Sequence, residues 1–197
     1  MRRVRLVLTP ECVELAYRHG IFPMGHPGTR IVTWHRPDPR AIIPLDRFHV
    51  SRSLRKTIRR QVFEVRIDTD FEEVMRGCAD RPEGTWITED FVRVYGALHR
   101  MGKAHSVETW RDGRLVGGVY GVALGGAFMA ESMFHRETDA SKVALAALVE
   151  RLRERGYTLL DVQYLTPHLA SLGAVVIPAS VYDRLLQTAL ALNPCFA

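Results

Sequence analysis

Apolar positions along the chain change their period several times, and each change predicts an element. Helical spacing over 10–18 follows Thr9, a capping residue type, with Pro10 at the first position and Gly20 past the end. The run 21–28 is too rich in Pro and Gly for regular structure, and 31–34 predicts a short strand. Segment 36–40 is held extended, because each of its prolines drives the preceding residue out of the helical region. Ser51 caps a predicted helix over 51–60, with Leu54 and Ile58 directed to a core. Alternation over 62–67 predicts a strand, 71–75 opens a helix, and 89–100 predicts another between Thr88 and Gly102. Strands over 106–110 and 115–124 flank Asp112-Gly113, a strong hairpin signal. Gly125-Gly126 then turns the chain into a strand over 127–134. A long amphipathic helix over 139–155 buries Leu145, Leu148, Val149 and Leu152, and Gly156 closes it. Strand 157–163, a helical turn over 167–172 and strand 174–177 follow. A capping box over Ser180–Asp183 is expected to open the last helix.

Hairpins followed by helix, strand, helix and strand describe an α+β fold. The pattern changes near residue 62, which divides the 197 residues into a small N-terminal α/β domain, 1–61, and a larger domain, 62–197. No apolar run is long enough to span a bilayer, and the first residues carry too short an apolar stretch for a signal peptide. Cys12, Cys78 and Cys195 are odd in number and widely spaced, which suggests neither a disulfide framework nor a zinc site and fits a reducing cytoplasm.

Charge sharpens the division. Residues 1–60 hold 13 Lys+Arg against 4 Asp+Glu, whereas 61–197 hold 14 against 18. Arg52, Arg55, Lys56, Arg59 and Arg60 fall at i, i+3, i+4, i+7 and i+8, one face of the predicted helix. Cations so placed repel one another unless phosphates or water neutralise them, so the stripe is either a nucleic-acid contact or a solvated basic surface.

Motifs of metal hydrolases and serine hydrolases are absent, and none of the eight histidines has the helical spacing of a ligand pair. Gly117-Gly118 does not open a helix and reads as close strand packing. Two polar interruptions of apolar strands remain: Asp161 with Gln163, which share a face by alternation, and Glu131. Each is either a buried hydrogen-bond anchor or a catalytic group.

Ile21-Phe22-Pro23, Pro37-Asp38-Pro39-Arg40, Phe48-His49-Val50-Ser51-Arg52-Ser53 and Gly84-Thr85-Trp86-Ile87-Thr88 occur in that order. Glu131-Ser132-Met133-Phe134, Ala140-Ser141-Lys142, Leu160-Asp161-Val162-Gln163 and His168-Leu169-Ala170-Ser171-Leu172-Gly173-Ala174 follow. This set resembles the bacterial leucyl/phenylalanyl-tRNA–protein transferases. The resemblance implies an acyl-CoA N-acyltransferase (GNAT)-like larger domain with the small basic domain packed on it. It implies transfer of Leu or Phe from Leu-tRNA or Phe-tRNA to proteins beginning with Arg or Lys, which marks them for N-end rule degradation. No metal, CoA or other cofactor is implied, nor any partner membrane or DNA.

Under that resemblance Asp161 and Gln163 are the catalytic pair and Glu131 lies in the same site. A glutamine amide is no base at neutral pH, so Gln163 can only orient the attacking amine. Asp161 holds that amide or takes the proton itself, unless the leaving 3′ oxygen takes it. Met133 and Phe134 are candidates for the amino-acid pocket or are plain core. Trp34 and Tyr95 are candidates to stack on or hydrogen-bond the terminal adenosine, Trp86 is read as core, and the 52–60 helix would hold tRNA phosphates. Met24 stands where some relatives have tryptophan, and Trp34-His35-Arg36 where the family has Trp-Trp-Ser, which places Met24 among the donor-binding candidates.

Two other functions compete. A CoA-dependent N-acetyltransferase needs a loop of backbone amides before the long helix, but 136–142 holds two acids and no glycine. A non-catalytic tRNA-binding protein would keep the basic helix and use Glu131, Asp161 and Gln163 structurally.

Overall fold

The computed structural model describes residues 8–29 and 31–196. Arg2, Arg3, Arg5 and Arg30, part of the basic excess, lie outside them, as does most of the N-terminal stretch assessed as a signal peptide.

A seven-stranded sheet carries the larger part of the chain. Its strands are β3 (Arg40–Ile42), β4 (Glu64–Ile67), β5 (Ala104–Arg111), β6 (Arg114–Leu124), β7 (Ala127–His135), β8 (Leu159–Gln163) and β9 (Val175–Ile177). They lie in the order β4-β5-β6-β7-β8-β3-β9. All neighbours are antiparallel except β7 and β8, which helix α5 (Ala140–Glu154) connects in parallel. Helices α3 (Phe71–Ala79) and α4 (Glu89–Arg100) bury Val74, Phe91 and Leu98 with α1 (Pro10–Arg18) and the last helix, Ala179–Leu190, in one apolar layer. Helix α5 buries Leu145, Leu148, Val149 and Leu152 in a second layer, as its spacing predicts. The α+β class follows directly, since helices cover both faces of a hairpin-rich sheet.

The hairpin signal is realised: Asp112 and Gly113 both take positive φ, 50° and 72°, as a tight two-residue turn between β5 and β6 demands. Thr9 caps α1 through the Cys12 N–H, and Ser51 caps α2 (Arg52–Arg59) through the Leu54 N–H.

Several expectations change. Residues 22–25, assigned to no regular structure, form β1 (Phe22–Gly25), paired with β2 (Val32–His35) in a separate two-stranded sheet. A two-stranded ribbon is all edge, so it tolerates Pro23. Ile58, expected in the core, is 38% exposed, while Leu54 alone anchors α2. The capping box at Ser180–Asp183 does not form: the helix starts earlier, and Asp38 accepts the Ala179 N–H at 3.0 Å. The large sheet draws strands from both sides of position 61, because β3 pairs with β8 and β9. No helix among the described residues is long and apolar enough to cross a membrane.

Candidate active site

The parallel β7–β8 pair is hydrogen-bonded only from Ala127 to Met129 against Leu159 to Asp161. Beyond that the strands part, and a cavity of about 560 Å³ opens between them. Glu131, Met133, Val162 and Gln163 line it, and an apolar chamber bounded by Val119, Met133, Leu145 and Leu169 continues from it.

Local backbone irregularities aim the polar groups into this opening. In the β6–β7 ladder Tyr120 faces Ser132 and Gly121 faces Ala130, so Glu131 is the extra residue of a β-bulge. Only glycine suits position 121: a Cβ there would lie 2.3 Å from the Met129 carbonyl oxygen. Gln163 ends β8 with φ +57°, a left-handed conformation uncommon for a side-chain-bearing residue. Its Nε2 donates to Glu131 Oε1 at 3.2 Å, bridging the parted strands.

Asp161 holds that conformation from beneath. Its Oδ1 accepts from the Gln163 N–H at 2.9 Å and from Arg40 Nε at 2.9 Å. Its Oδ2 accepts from Arg40 Nη2 at 2.5 Å and from the Tyr182 hydroxyl at 2.9 Å. Arg40 also donates to the Gly20 carbonyl and lies over the rings of Phe22 and Tyr182. Burial opposes the Arg40 charge, but the Asp161 hydrogen bonds and charge outweigh it and hold the guanidinium pKa above its ordinary value. Asp161 is 0% exposed with both oxygens engaged, and it is not on the cavity wall. Its carboxylate therefore holds the Gln163 backbone and does not face the cavity, unlike the expectation that it meets substrate directly.

Glu131 has the opposite environment. Burial pushes its carboxyl up to about 8, hydrogen bonding from Tyr17 opposes the rise, and the Asp161 charge adds to it. Tyr17 and Tyr95 share a 2.7 Å hydrogen bond beneath it. Such a carboxyl is poised to exchange a proton near neutral pH.

The remaining expected residues divide. Met133 lies on the wall of both cavity and chamber. Phe134 points to the other face of β7, where its ring covers Gly77 in the core, because alternation separates neighbours in a strand. Tyr95 is 0% exposed, packed against Phe91 and Tyr120, and offers no face to a base. Trp86, read as core, stands half-buried on the cavity wall against Phe91. Trp34 and Met24 are half-buried in the β1–β2 ribbon outside the cavity wall, and the Trp34 indole N–H is buried without an acceptor among the described residues. Arg52, Arg55, Lys56, Arg59 and Arg60 together line one open trough. Among the described residues no carboxylate pairs with any of the five.

Asp68, His99 and His105 are grouped closely enough to hold a metal ion. His105 Nδ1 lies 2.7 Å from Asp68, however, and His99 Nδ1 lies 2.8 Å from the Ala104 carbonyl, so the ring nitrogens facing Asp68 already have partners. The group clamps β4, α4 and β5 together, away from the cavity.

Arg40, Tyr182, Tyr17 and Trp86 were missed by sequence reasoning. Arg40 had a signal: an arginine directly before Ala41-Ile42-Ile43 is the natural counter-charge for a carboxylate on an apolar strand. The tyrosines had none, since their hydroxyls meet only in the fold.

Comparison with known proteins agrees with the motifs. The family model "Leucyl/phenylalanyl-tRNA protein transferase" matches residues 42–187, and that of its N-terminal domain matches 7–38. The leucyl/phenylalanyl-tRNA–protein transferase of Rubrobacter xylanophilus is 58% identical over 96% of this chain and 99% of its own. That of Herpetosiphon aurantiacus is 55% identical over 96% and 98%. Among solved structures, L-PGS from Bacillus licheniformis aligns with 82% of this chain and 55% of its own, at TM-score 0.43 and 18% identity. That likeness is too remote to add to the topology. Matched by both models and aligned nearly end to end with these enzymes, the chain belongs to the leucyl/phenylalanyl-tRNA–protein transferase family.

Proposed function

We propose that this protein takes leucine or phenylalanine from the 3′ end of charged tRNA and joins it to the N-terminal Arg or Lys of cytoplasmic proteins, marking them for N-end rule degradation. The observation that carries the reading is the placement of Glu131 and Gln163 at the mouth of an apolar chamber, where strands β7 and β8 part.

The ester of aminoacyl-tRNA is already activated, so the enzyme has to align and dry an amine against it. The chamber takes the apolar side chain, with the unbranched Met133 adapting to Leu or Phe. With its Nε2 bound to Glu131, Gln163 keeps its carbonyl oxygen to accept an N–H of the neutral α-amine. Glu131 takes a proton from that nitrogen as the C–N bond forms. The tetrahedral intermediate then expels the ribose 3′ oxygen, which recovers the proton from Glu131. Glu83, on the cavity wall, suits a cationic acceptor end.

Helix α2 supplies the tRNA contact in this reading, its five cations tracking phosphates without selecting sequence. Changing Arg55 and Arg59 together to alanine is expected to weaken tRNA binding and to flatten the log–log salt dependence by about one for each phosphate no longer neutralised. An unchanged slope in a filter-binding titration would remove the helix from the interface.

The function itself is tested by label transfer from tRNA charged with radiolabelled Leu or Phe to proteins beginning with Arg, Lys, Asp, Glu or Ala. Label on Arg and Lys acceptors alone is expected. Label on Asp or Glu acceptors would mean a shifted acceptor site, and bound tRNA without transfer would leave only an RNA-binding protein.

A further inference from the structure

Ser141, in the first turn of α5, is 5% exposed and stands on the wall of the Glu131–Gln163 cavity. Its hydroxyl makes no hydrogen bond among the described residues and is not sealed in the core, so it opens on the cavity. The backbone beside it is equally unspent. Asp139 precedes the helix with φ 69° and gives no side-chain cap. Ala140 and Val143 N–H groups are bonded to Glu137 and Asp139 carbonyls, while those of Ser141 and Lys142 have no carbonyl partner among the described residues. Ser141 thus brings a hydroxyl to the cavity wall beside two N–H groups without carbonyl partners, at the end of a 15-residue helix where its partial positive charge is concentrated.

The two carboxylates beside the turn are already paired, and Glu83 and Glu131 are the other acids on the cavity wall. Asp139 is engaged by Lys142 Nζ at 3.0 Å and by the Thr57 hydroxyl, and Glu137 by Arg111 at 2.7 Å. His168, on the same wall, is held below the usual imidazole range first by burial and then by the charges of Lys142 and His135, a sign that the local field is positive. The Thr57–Asp139 contact also ties this turn to α2, so the basic trough and the cavity are linked through one side chain.

Resting on the transferase reading above, we infer that the first turn of α5 with Ser141 seats the last phosphodiester of the donor tRNA, the one leading into its terminal adenosine. The other end of the same cavity holds the ester at Glu131 and Gln163. The two free N–H groups and one hydroxyl suit a single phosphate; the seat lacks the glycine-rich amide loop that a pyrophosphate requires.

The test uses phenylalanine esterified to the 3′ end of cytidylyl-adenosine, compared with the same donor whose linkage is an uncharged methylphosphonate. The wild-type protein is expected to use the charged donor about tenfold better in kcat/KM, the scale of one charge-assisted hydrogen-bond set. Ser141→Ala removes a hydroxyl with no internal partner among the described residues, so stability is expected to hold. It should bring the ratio close to one while leaving the methylphosphonate donor unaffected. A ratio unchanged in Ser141→Ala, or an equal loss on both donors, would overturn the phosphate seat. Equilibrium dialysis of the two dinucleotides without amino acid reads the seat apart from transfer. If the charged one binds more tightly and Ser141→Ala abolishes the difference, the seat stands even where no donor reacts and the transferase reading fails.

Discussion

Arg40→Ala is expected to destabilise the protein by about 3–5 kcal/mol, the cost of leaving one member of a buried ion pair alone. Arg40 and Asp161 are 1% and 0% exposed, and the guanidinium makes two of the four hydrogen bonds to the carboxylate. With Arg40 gone, Asp161 becomes a buried carboxylate held only by the Tyr182 hydroxyl and the Gln163 N–H. Urea unfolding checks the loss, and a loss below about 1 kcal/mol would show that the buried pair contributes little to stability. The Arg40→Met, Asp161→Asn double variant should regain much of the stability. It should not regain transfer, because the left-handed Gln163 loses a charged acceptor for its N–H.

Glu131→Gln is expected to lower kcat/KM roughly 10²–10⁴-fold, the contribution of a placed general base. The pH profile carries the discriminating reading. Glu131 titrates at about 8, and a free α-amine at about 7.7–8.0. Both must be deprotonated, so log kcat/KM for the wild-type protein should climb with a slope approaching two below that range. In the variant only the amine titrates, and the slope should fall to one. A slope of two in both would assign the second ionisation elsewhere. A slope of one in both, with little loss of rate, would leave the leaving 3′ oxygen as the sole proton acceptor.

The site's polar members could be singled out in the sequence because each breaks an apolar strand. Glu131 interrupts a run of apolar residues in β7, and Asp161 with Gln163 interrupts β8. Strand alternation placed 161 and 163 on one face, but Gln163 takes positive φ and so turns toward the cavity while Asp161 stays inside. Alternation puts Met133 and Phe134 on opposite faces, but the bulge at 131 resets the phase, so only the fold decided which of the two meets the cavity.

Local chemistry determined much of this protein from sequence alone. Turn residues, caps and hydrophobic period act within a few positions, so the Asp112-Gly113 hairpin, the Thr9 and Ser51 caps, the inward stripe of α5 and the basic stripe of α2 were all readable in the order of residues. Tertiary structure decided what depends on meetings across the chain. Arg40 reaches Asp161 over 121 positions and Tyr17 reaches Tyr95 over 78, and both pairings exist only once the sheet and its helices are packed. Burial, too, belongs to the fold: it raises Glu131 to about 8, since desolvation is set by everything that surrounds a group.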